Sequence, residues 1–144
     1  ENRIPGNVKM YWNCVGDFEY GMTTREELFQ KWNHLLPYIE FKFGDSKKIL
    51  SEELINIERF HFSFLDAHHD YDYLSYEMNW TNKKQSSGDI VVCDDYTFLN
   101  KGGAQFPGII RAVDEFIKNN NSHHKIFYGE DGVKKRGYVV IRNQ

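Results

Sequence analysis

Two short apolar runs that end in clustered carboxylates constrain the fold of this chain more than any other feature. Residues 62–65 (FSFL) lead into residues 66–70 (DAHHD), and residues 90–93 (IVVC) lead into Asp94 and Asp95. A buried parallel strand looks like this when it delivers polar side chains to the carboxyl edge of a sheet, where ligands bind in open α/β folds. Acidic groups gathered there repel one another unless a cation or a proton lies between them. The pattern therefore predicts a divalent-metal site with a general base beside it.

The predicted ligands are the carboxylates of Asp66, Asp94 and Asp95, with His68 or His69 as the base. An all-oxygen site of this kind suits Mg²⁺ or Mn²⁺ better than Zn²⁺. Imidazole is the side chain best suited to taking up a proton near neutral pH, and the pattern does not say which of the two histidines does so.

Strand-like and helix-like segments alternate along most of the chain. The predicted strands cover residues 8–15, 38–43, 60–65, 88–93, 125–128 and 137–141. Helices are predicted from the capping pattern at Thr24, from Ser46 as a cap, over residues 73–80, and from Pro107. This order indicates a three-layer αβα fold, with a mostly parallel sheet, helices on both faces, and a C-terminal antiparallel hairpin whose antiparallel strand lies at an edge.

Length and composition limit the classes of partner. The 144 residues fit one domain, residues 1–144. With a net charge of −3 and no basic run of five or more, the chain is not expected to bind nucleic acid or an anionic membrane, and a small molecule is the expected ligand. No apolar run of about 18 residues predicts a membrane span. Cys14 and Cys93 form no CxxC pair, so reduced thiols and a cytoplasmic location are expected.

Four blocks of the sequence resemble a known family. They are residues 44–46 (GDS), 64–71 (FLDAHHDY), 88–96 (GDIVVCDDY) and 106–116 (FPGIIRAVDEF). In this order they look like class I S-adenosylmethionine-dependent methyltransferases, and most closely like the metal-dependent O-methyltransferases that include the macrolide-sugar enzymes. The resemblance covers about residues 8–144. The family's first strand and its glycine-rich loop have no counterpart, which implies that a first βα unit is missing. Either the chain is a fragment whose missing part is supplied elsewhere, by a larger parent polypeptide or a homo-oligomer, or its cofactor site is incomplete and it is not an active methyltransferase by itself.

The resemblance also implies roles for particular residues. It implies S-adenosylmethionine and Mg²⁺ or Mn²⁺ as cofactors, and a sugar or small polyol hydroxyl as the methyl acceptor. Asp66, Asp94 and Asp95 match the family's metal ligands, and His68 or His69 takes the place of its base. The remaining matches concern the cofactor: Asp45 and Ser46 for the adenine, and Asp17 for the ribose hydroxyls.

Simpler explanations exist for each of these residues. Asp66 or Asp45 could cap a helix, Asp17 could be a solvated turn residue, and one histidine could pair with Asp70 or with a backbone carbonyl. Two other functions also compete. One is a non-catalytic methyltransferase-like structural or assembly module. The other is a binuclear manganese ureohydrolase, whose ligand run resembles residues 66–70 but whose other ligand segments are not found in this sequence.

Overall fold

The computed structural model describes residues 10–14, 30, 33–66, 68–120, 123–130 and 134–143. These residues divide into two compact units, Glu1–Glu53 and Leu54–Gln144. Two such units can belong to one domain, so the single domain over residues 1–144 stays a prediction. No helix among the described residues is long and apolar enough to cross a membrane.

The first unit contains a two-stranded parallel sheet. Strand β1 (Met10–Cys14) pairs with strand β2 (Ile39–Phe43), with Met10 opposite Ile39. Both strands were predicted. A 3-10 helix, Asn33–Tyr38, leads into β2, and Pro37 lies inside that helix, one residue before its end. The helix predicted to start at Thr24 falls mostly outside the described residues.

The helix predicted after β2 is present, but its cap is the residue before the predicted one. Helix α1 (Ser46–Lys48) continues as a π-helical turn, Ile49–Glu53. Ser46 was the predicted cap and is instead the first helical residue. The side chain of Asp45 accepts a hydrogen bond from the Lys48 amide at 3.2 Å, which leaves Asp45 as the N-cap.

The second unit alternates strands and helices before it ends in a hairpin. In chain order its elements are β3 (Phe62–Leu65), α2 (Tyr71–Asn82), β4 (Ile90–Cys93), β5 (Phe98–Leu99), α3 (Pro107–Asn119), β6 (His123–Glu130) and β7 (Lys134–Arg142). Strands β3 and β4 are parallel neighbours, with Leu65 opposite Cys93. Strand β7 runs antiparallel to β4 on one side and to β6 on the other.

The expected position of the antiparallel strand was wrong. It was predicted at the edge of the sheet, whereas β7 lies between β4 and β6, and β5 also pairs with the start of β7. The hairpin itself and its antiparallel last strand are confirmed. Because strand order depends on pairing between segments far apart in the chain, local patterns did not reveal it.

The core of the second unit lies between the sheet and the helices α2 and α3. Both helices bury their apolar stripe against β4 and β7, and Met78, Val113 and Ile141 have no exposed surface. Full burial of a side chain of this size contributes roughly 1.5–3 kcal/mol. Strand β4 is buried as expected, but β3 is not: Phe62 and Phe64, which alternate with the core-facing positions, are 59% and 54% exposed.

Candidate functional site

Adjacent parallel strands bring the predicted acidic residues to one edge of the sheet. Asp66 follows β3, and Asp94 and Asp95 follow β4, so all three leave the sheet at its carboxyl edge. The Asp94 amide donates to the Leu65 carbonyl oxygen at 3.1 Å, which joins the two strand ends directly. The prediction that these carboxylates share one edge is confirmed.

The side chains of Asp66, His69 and Asp95 converge there. One potential ligand atom from each lies within 4.8 Å of the others. Two ligands on opposite sides of a Mg²⁺ ion are about 4.2 Å apart, since each bond is about 2.0–2.1 Å long. Small side-chain adjustments would therefore bring the carboxylates of Asp66 and Asp95 onto a single cation, with the His69 imidazole beside it. We call Asp66, His69 and Asp95 the triad.

Asp94 lies beside the triad but has other partners. Its Oδ1 accepts from the Asp95 amide at 2.8 Å, and its Oδ2 faces Arg136 Nη2 at 3.4 Å. Its side chain is only 15% exposed. Asp94 would have to exchange the contact with Arg136 to bind a cation together with the triad.

The two candidate bases, His68 and His69, have different partners in the structure. His69 Nε2 lies 2.9 Å from Asp95 Oδ2, and its ring stacks on Phe106 with 4.3 Å between the ring centroids. His68 Nδ1 instead lies 2.8 Å from Asp70 Oδ2, and its ring stacks on another aromatic side chain. His69 therefore belongs to the triad, and His68 has the pairing with Asp70 that the simpler explanation allowed.

The pKa of Asp66 is affected both by burial and by repulsion from the neighbouring carboxylates. Partial burial, reinforced by the negative charges of Asp94 and Asp95, raises the pKa of Asp66 above its ordinary value. His69 and Arg136 act in the opposite direction on the same pKa but do not cancel the rise. An added cation would relieve this repulsion.

Asp95 reaches the triad from an unusual backbone conformation. It is the one described non-glycine residue with a positive φ, at 56°. Its carbonyl oxygen accepts from the Thr97 amide at 2.7 Å, so the chain turns sharply just after β4. Strained residues of this kind often occur at functional sites.

The remaining predicted site residues lie in the first unit. Asp45 caps α1, as the simpler explanation had it, and Ser46 is buried in that helix. Asp17 lies outside the described residues.

In the second unit, Asp66 does not cap α2, because Asp70 does so by accepting from the Tyr73 amide at 2.9 Å. A cofactor role for Asp17, Asp45 and Ser46 stays a prediction.

Sequence reasoning missed two contacts of the site. Phe106 belongs to the block at residues 106–116, but that pattern did not indicate a contact with His69; a bulky aromatic residue at the start of a helix was the one available signal. Arg136 gave no local signal, since only the pairing of Cys93 with Val139 brings that part of β7 close to Asp94.

No protein-family model matches this sequence, and no curated protein sequence matches it. Several solved structures share its fold. An O-methyltransferase from Bacillus cereus, in complex with S-adenosylhomocysteine, has a TM-score of 0.67 at 14% identity, over 94% of this chain and 63% of that one. A second structure is the O-methyltransferase TomG from Streptomyces achromogenes, which is involved in tomaymycin synthesis and was solved in complex with S-adenosylmethionine. Its TM-score is 0.65 at 13% identity, over 98% of this chain and 65% of that one.

A protein from Klebsiella pneumoniae assigned as an O-methyltransferase gives a TM-score of 0.65 at 12% identity, over 98% of this chain and 64% of that one. This chain thus spans less than two thirds of the length of each of the three structures. At such low identity the similarity shows the fold. The chain has the Rossmann-like αβα fold of class I methyltransferases, and the resemblance seen in the sequence is confirmed at that level.

Proposed function

We propose that this chain belongs to an S-adenosylmethionine-dependent O-methyltransferase that needs a divalent cation and acts on a small hydroxylated acceptor, such as a sugar or polyol. The observation that carries the proposal is the convergence of Asp66, His69 and Asp95 at the carboxyl ends of β3 and β4. Support comes from the fold, which is shared with O-methyltransferases solved in complex with S-adenosylmethionine or its demethylated product.

The donor set fits Mg²⁺ or Mn²⁺. Asp66 and Asp95 supply carboxylate oxygens within reach of each other, and Asp94 adds a third carboxylate beside them. Hard oxygen donors of this kind favour these ions. Burial is the main cause of the raised pKa of Asp66, and the negative charges of Asp94 and Asp95, which a cation would neutralise, are the second. A bound cation would make an acceptor hydroxyl more acidic.

His69 is the proposed general base. If its Nε2–H donates to the ionised Asp95, 2.9 Å away, the lone pair that can take up a proton is on Nδ1. Asp95 then fixes the tautomer and the orientation of the imidazole, as a carboxylate does in other histidine–aspartate pairs. Loss of a general base lowers the rate about 10²- to 10⁴-fold.

Two binding measurements on the full protein test the proposal. Titration calorimetry should detect S-adenosylhomocysteine, and electron paramagnetic resonance should detect bound Mn²⁺. The Asp66→Asn and Asp95→Asn variants should bind Mn²⁺ at least about tenfold more weakly, because each loses a charged ligand. Asp72→Asn, which changes an acidic residue of the first turn of α2 outside the triad, is the matched control.

The outcomes separate the candidate functions. Absence of S-adenosylhomocysteine binding at millimolar concentration would leave the non-catalytic module as the better explanation. Equal Mn²⁺ affinity in the parent and in both triad variants would remove the metal from the proposal.

A further inference from the structure

His69 needs more than its contact with Asp95 to hold one orientation. Its side chain is 44% exposed, and it follows Asp66 by only three positions in the connection between β3 and α2. A single contact at Nε2 leaves the imidazole free to swing about that contact. The face of the ring is covered by Phe106, with an interplanar angle of 20°.

Phe106 is itself firmly held. It is the N-cap residue of α3, where its carbonyl oxygen accepts from the Ile109 and Ile110 amides at 3.1 and 3.3 Å. Its side chain packs against the buried core of the second unit, and Pro107 restricts the backbone that follows. The ring that faces His69 is thus partly buried and held against the core.

The start of α3 is also fixed against the segment that carries His69. A Cβ at Gly108 would lie 2.7 Å from the Tyr71 amide nitrogen and 3.1 Å from Asp70 atoms, so only glycine permits this approach. The first turn of α3 and the first turn of α2 therefore meet backbone to backbone. Phe106 precedes Gly108 by two positions and His69 precedes Tyr71 by two, so this contact fixes the distance between the backbone segments that carry the two stacked rings.

We propose that Phe106 is a positioning residue, whose ring fixes the plane of the His69 imidazole and keeps Nε2 on Asp95. This inference rests on the proposed function for its importance to catalysis, but the geometry it describes can be tested without cofactor, metal or acceptor. An aromatic pair of this kind shifts an equilibrium by about 2- to 10-fold.

The experiment compares three variants of the full protein: Phe106→Leu, Phe106→Tyr and Phe98→Leu. Phe98 is the matched control, because it is an aromatic side chain packed against the same core and in edge contact with Tyr96 instead of His69. Carbethoxylation by diethylpyrocarbonate, followed by peptide mass spectrometry, measures how freely each histidine reacts. Nuclear magnetic resonance of the labelled imidazole reports the ring-current shift of His69 and the lifetime of its Nε2 proton.

We expect Phe106→Leu to raise the reaction rate of His69 about 2- to 10-fold, to abolish its ring-current shift and to shorten the lifetime of the Nε2 proton. Phe106→Tyr and Phe98→Leu should both keep the parental reaction rate, ring-current shift and proton lifetime of His69. His68 is an internal control, since its ring stacks on Tyr73 and should react equally in every variant.

Unchanged His69 signals in Phe106→Leu would overturn the inference, as would equal effects of Phe106→Leu and Phe98→Leu. Neither result depends on methyl transfer. Failure to bind S-adenosylhomocysteine or Mn²⁺ would instead overturn the proposed function and leave the positioning of His69 standing.

Discussion

At the scale of single residues, Asp95 combines a strained backbone with a side chain of the candidate site. A left-handed conformation costs an ordinary residue roughly 1–2 kcal/mol, because Cβ crowds the backbone, and glycine avoids this cost. Asp95 adopts that conformation with φ at 56°, and its side chain is 14% exposed beside His69. The local strain and the placement of a carboxylate in the triad therefore belong to the same residue.

Replacing Asp95 by glycine and by alanine separates these two properties. Both variants lose the carboxylate and should lose Mn²⁺ binding. Asp95→Gly should nevertheless be more stable than Asp95→Ala by about 1 kcal/mol, because only alanine retains the crowded Cβ. Urea denaturation measures the difference, and an alanine variant as stable as the glycine variant would contradict it.

Asp89 should make the stability of the protein depend on pH. Its carboxylate is buried and accepts two hydrogen bonds from Arg59, both at 2.8 Å, and one from the Ser86 amide at 2.7 Å. The Arg59 contact, with help from Ser86, lowers the pKa of Asp89 below its ordinary value, although burial acts in the opposite direction. A lowered folded-state pKa adds stability above the unfolded-state pKa of about 3.9, and that stability is lost as the pH falls through the folded-state value.

Asp89→Asn should therefore be less stable at pH 7 by about 1–3 kcal/mol, because it loses charge-assisted hydrogen bonds. It should also lose less stability than the parent between pH 5 and pH 3. Urea denaturation across this range measures both effects. Glu58→Gln, at an exposed position, is the control and should follow the parent curve. Parallel acid profiles for the parent and Asp89→Asn would refute the assignment.

At the scale of elements, β7 is held close to the turn that follows β4. A Cβ at Gly137 would lie 2.3 Å from the Tyr96 carbonyl oxygen and 2.8 Å from the Tyr128 ring. The Gly137 amide also donates to Thr97 Oγ1 at 3.2 Å, and Thr97 is fully buried. Any side chain at this position would push β7 away from the turn that carries Asp95.

Gly137→Ala should lower the free energy of unfolding by about 1–3 kcal/mol, through overpacking against backbone that cannot move aside. Gly129→Ala is the matched control, since Gly129 lies in the neighbouring strand β6 and a Cβ there would meet nothing within 4 Å. Its effect should stay within about 0.5 kcal/mol. Thermal unfolding measures both variants, and equal losses would show that close approach at Gly137 is not the cause.

Elements with strong local signals could be predicted from the sequence, and those set by distant pairing could not. Pro107 and the apolar stripe after it gave the start of α3, and the run at residues 90–93 gave β4. Strand β5 has two residues and carries no periodic signal. The interior position of β7 depends on its pairing with β4, and the approach of Arg136 to Asp94 depends on the same pairing.

The candidate site, too, could be predicted only where its arrangement follows from local sequence patterns. That Asp66 and Asp95 meet follows from two adjacent parallel strands, which the sequence pattern indicated. That His69 joins them while His68 turns to Asp70 depends on side-chain packing against Phe106 and Tyr73. Two consecutive histidines offer no sequence difference that decides between them.

At the scale of the whole molecule, a cation that binds Asp66 and Asp95 should stabilise the folded protein. A ligand at about 100 times its Kd, binding only the folded state, adds about 2.7 kcal/mol, which corresponds to a rise in Tm of roughly 5–10 °C for a chain of this size. Thermal unfolding of the full protein with Mg²⁺ or Mn²⁺, against KCl at equal ionic strength, measures this rise. Asp66→Asn should abolish most of it. An equal rise in that variant would place the cation elsewhere.

The acceptor proposed above is not determined by the fold of the whole molecule. Folds of this class serve many reactions, and the three solved structures described above are only 12–14% identical to the chain. In the proposed function, the acceptor depends on the side chains around the triad. Binding measurements on Asp66, His69 and Asp95 are therefore more informative about the reaction than further comparison of folds.

The interior position of β7 has a consequence for synthesis on the ribosome. Strand β4 emerges long before its antiparallel neighbour, so the nascent chain presents a hydrophobic strand with one unpaired edge until Lys134–Arg142 has left the exit tunnel. We expect ribosome-stalled chains that stop before residue 134 to be cut rapidly by protease near β4, and chains with a C-terminal linker long enough to bring residue 142 out of the tunnel to resist. Chaperones that bind unpaired strand edges would act in that interval.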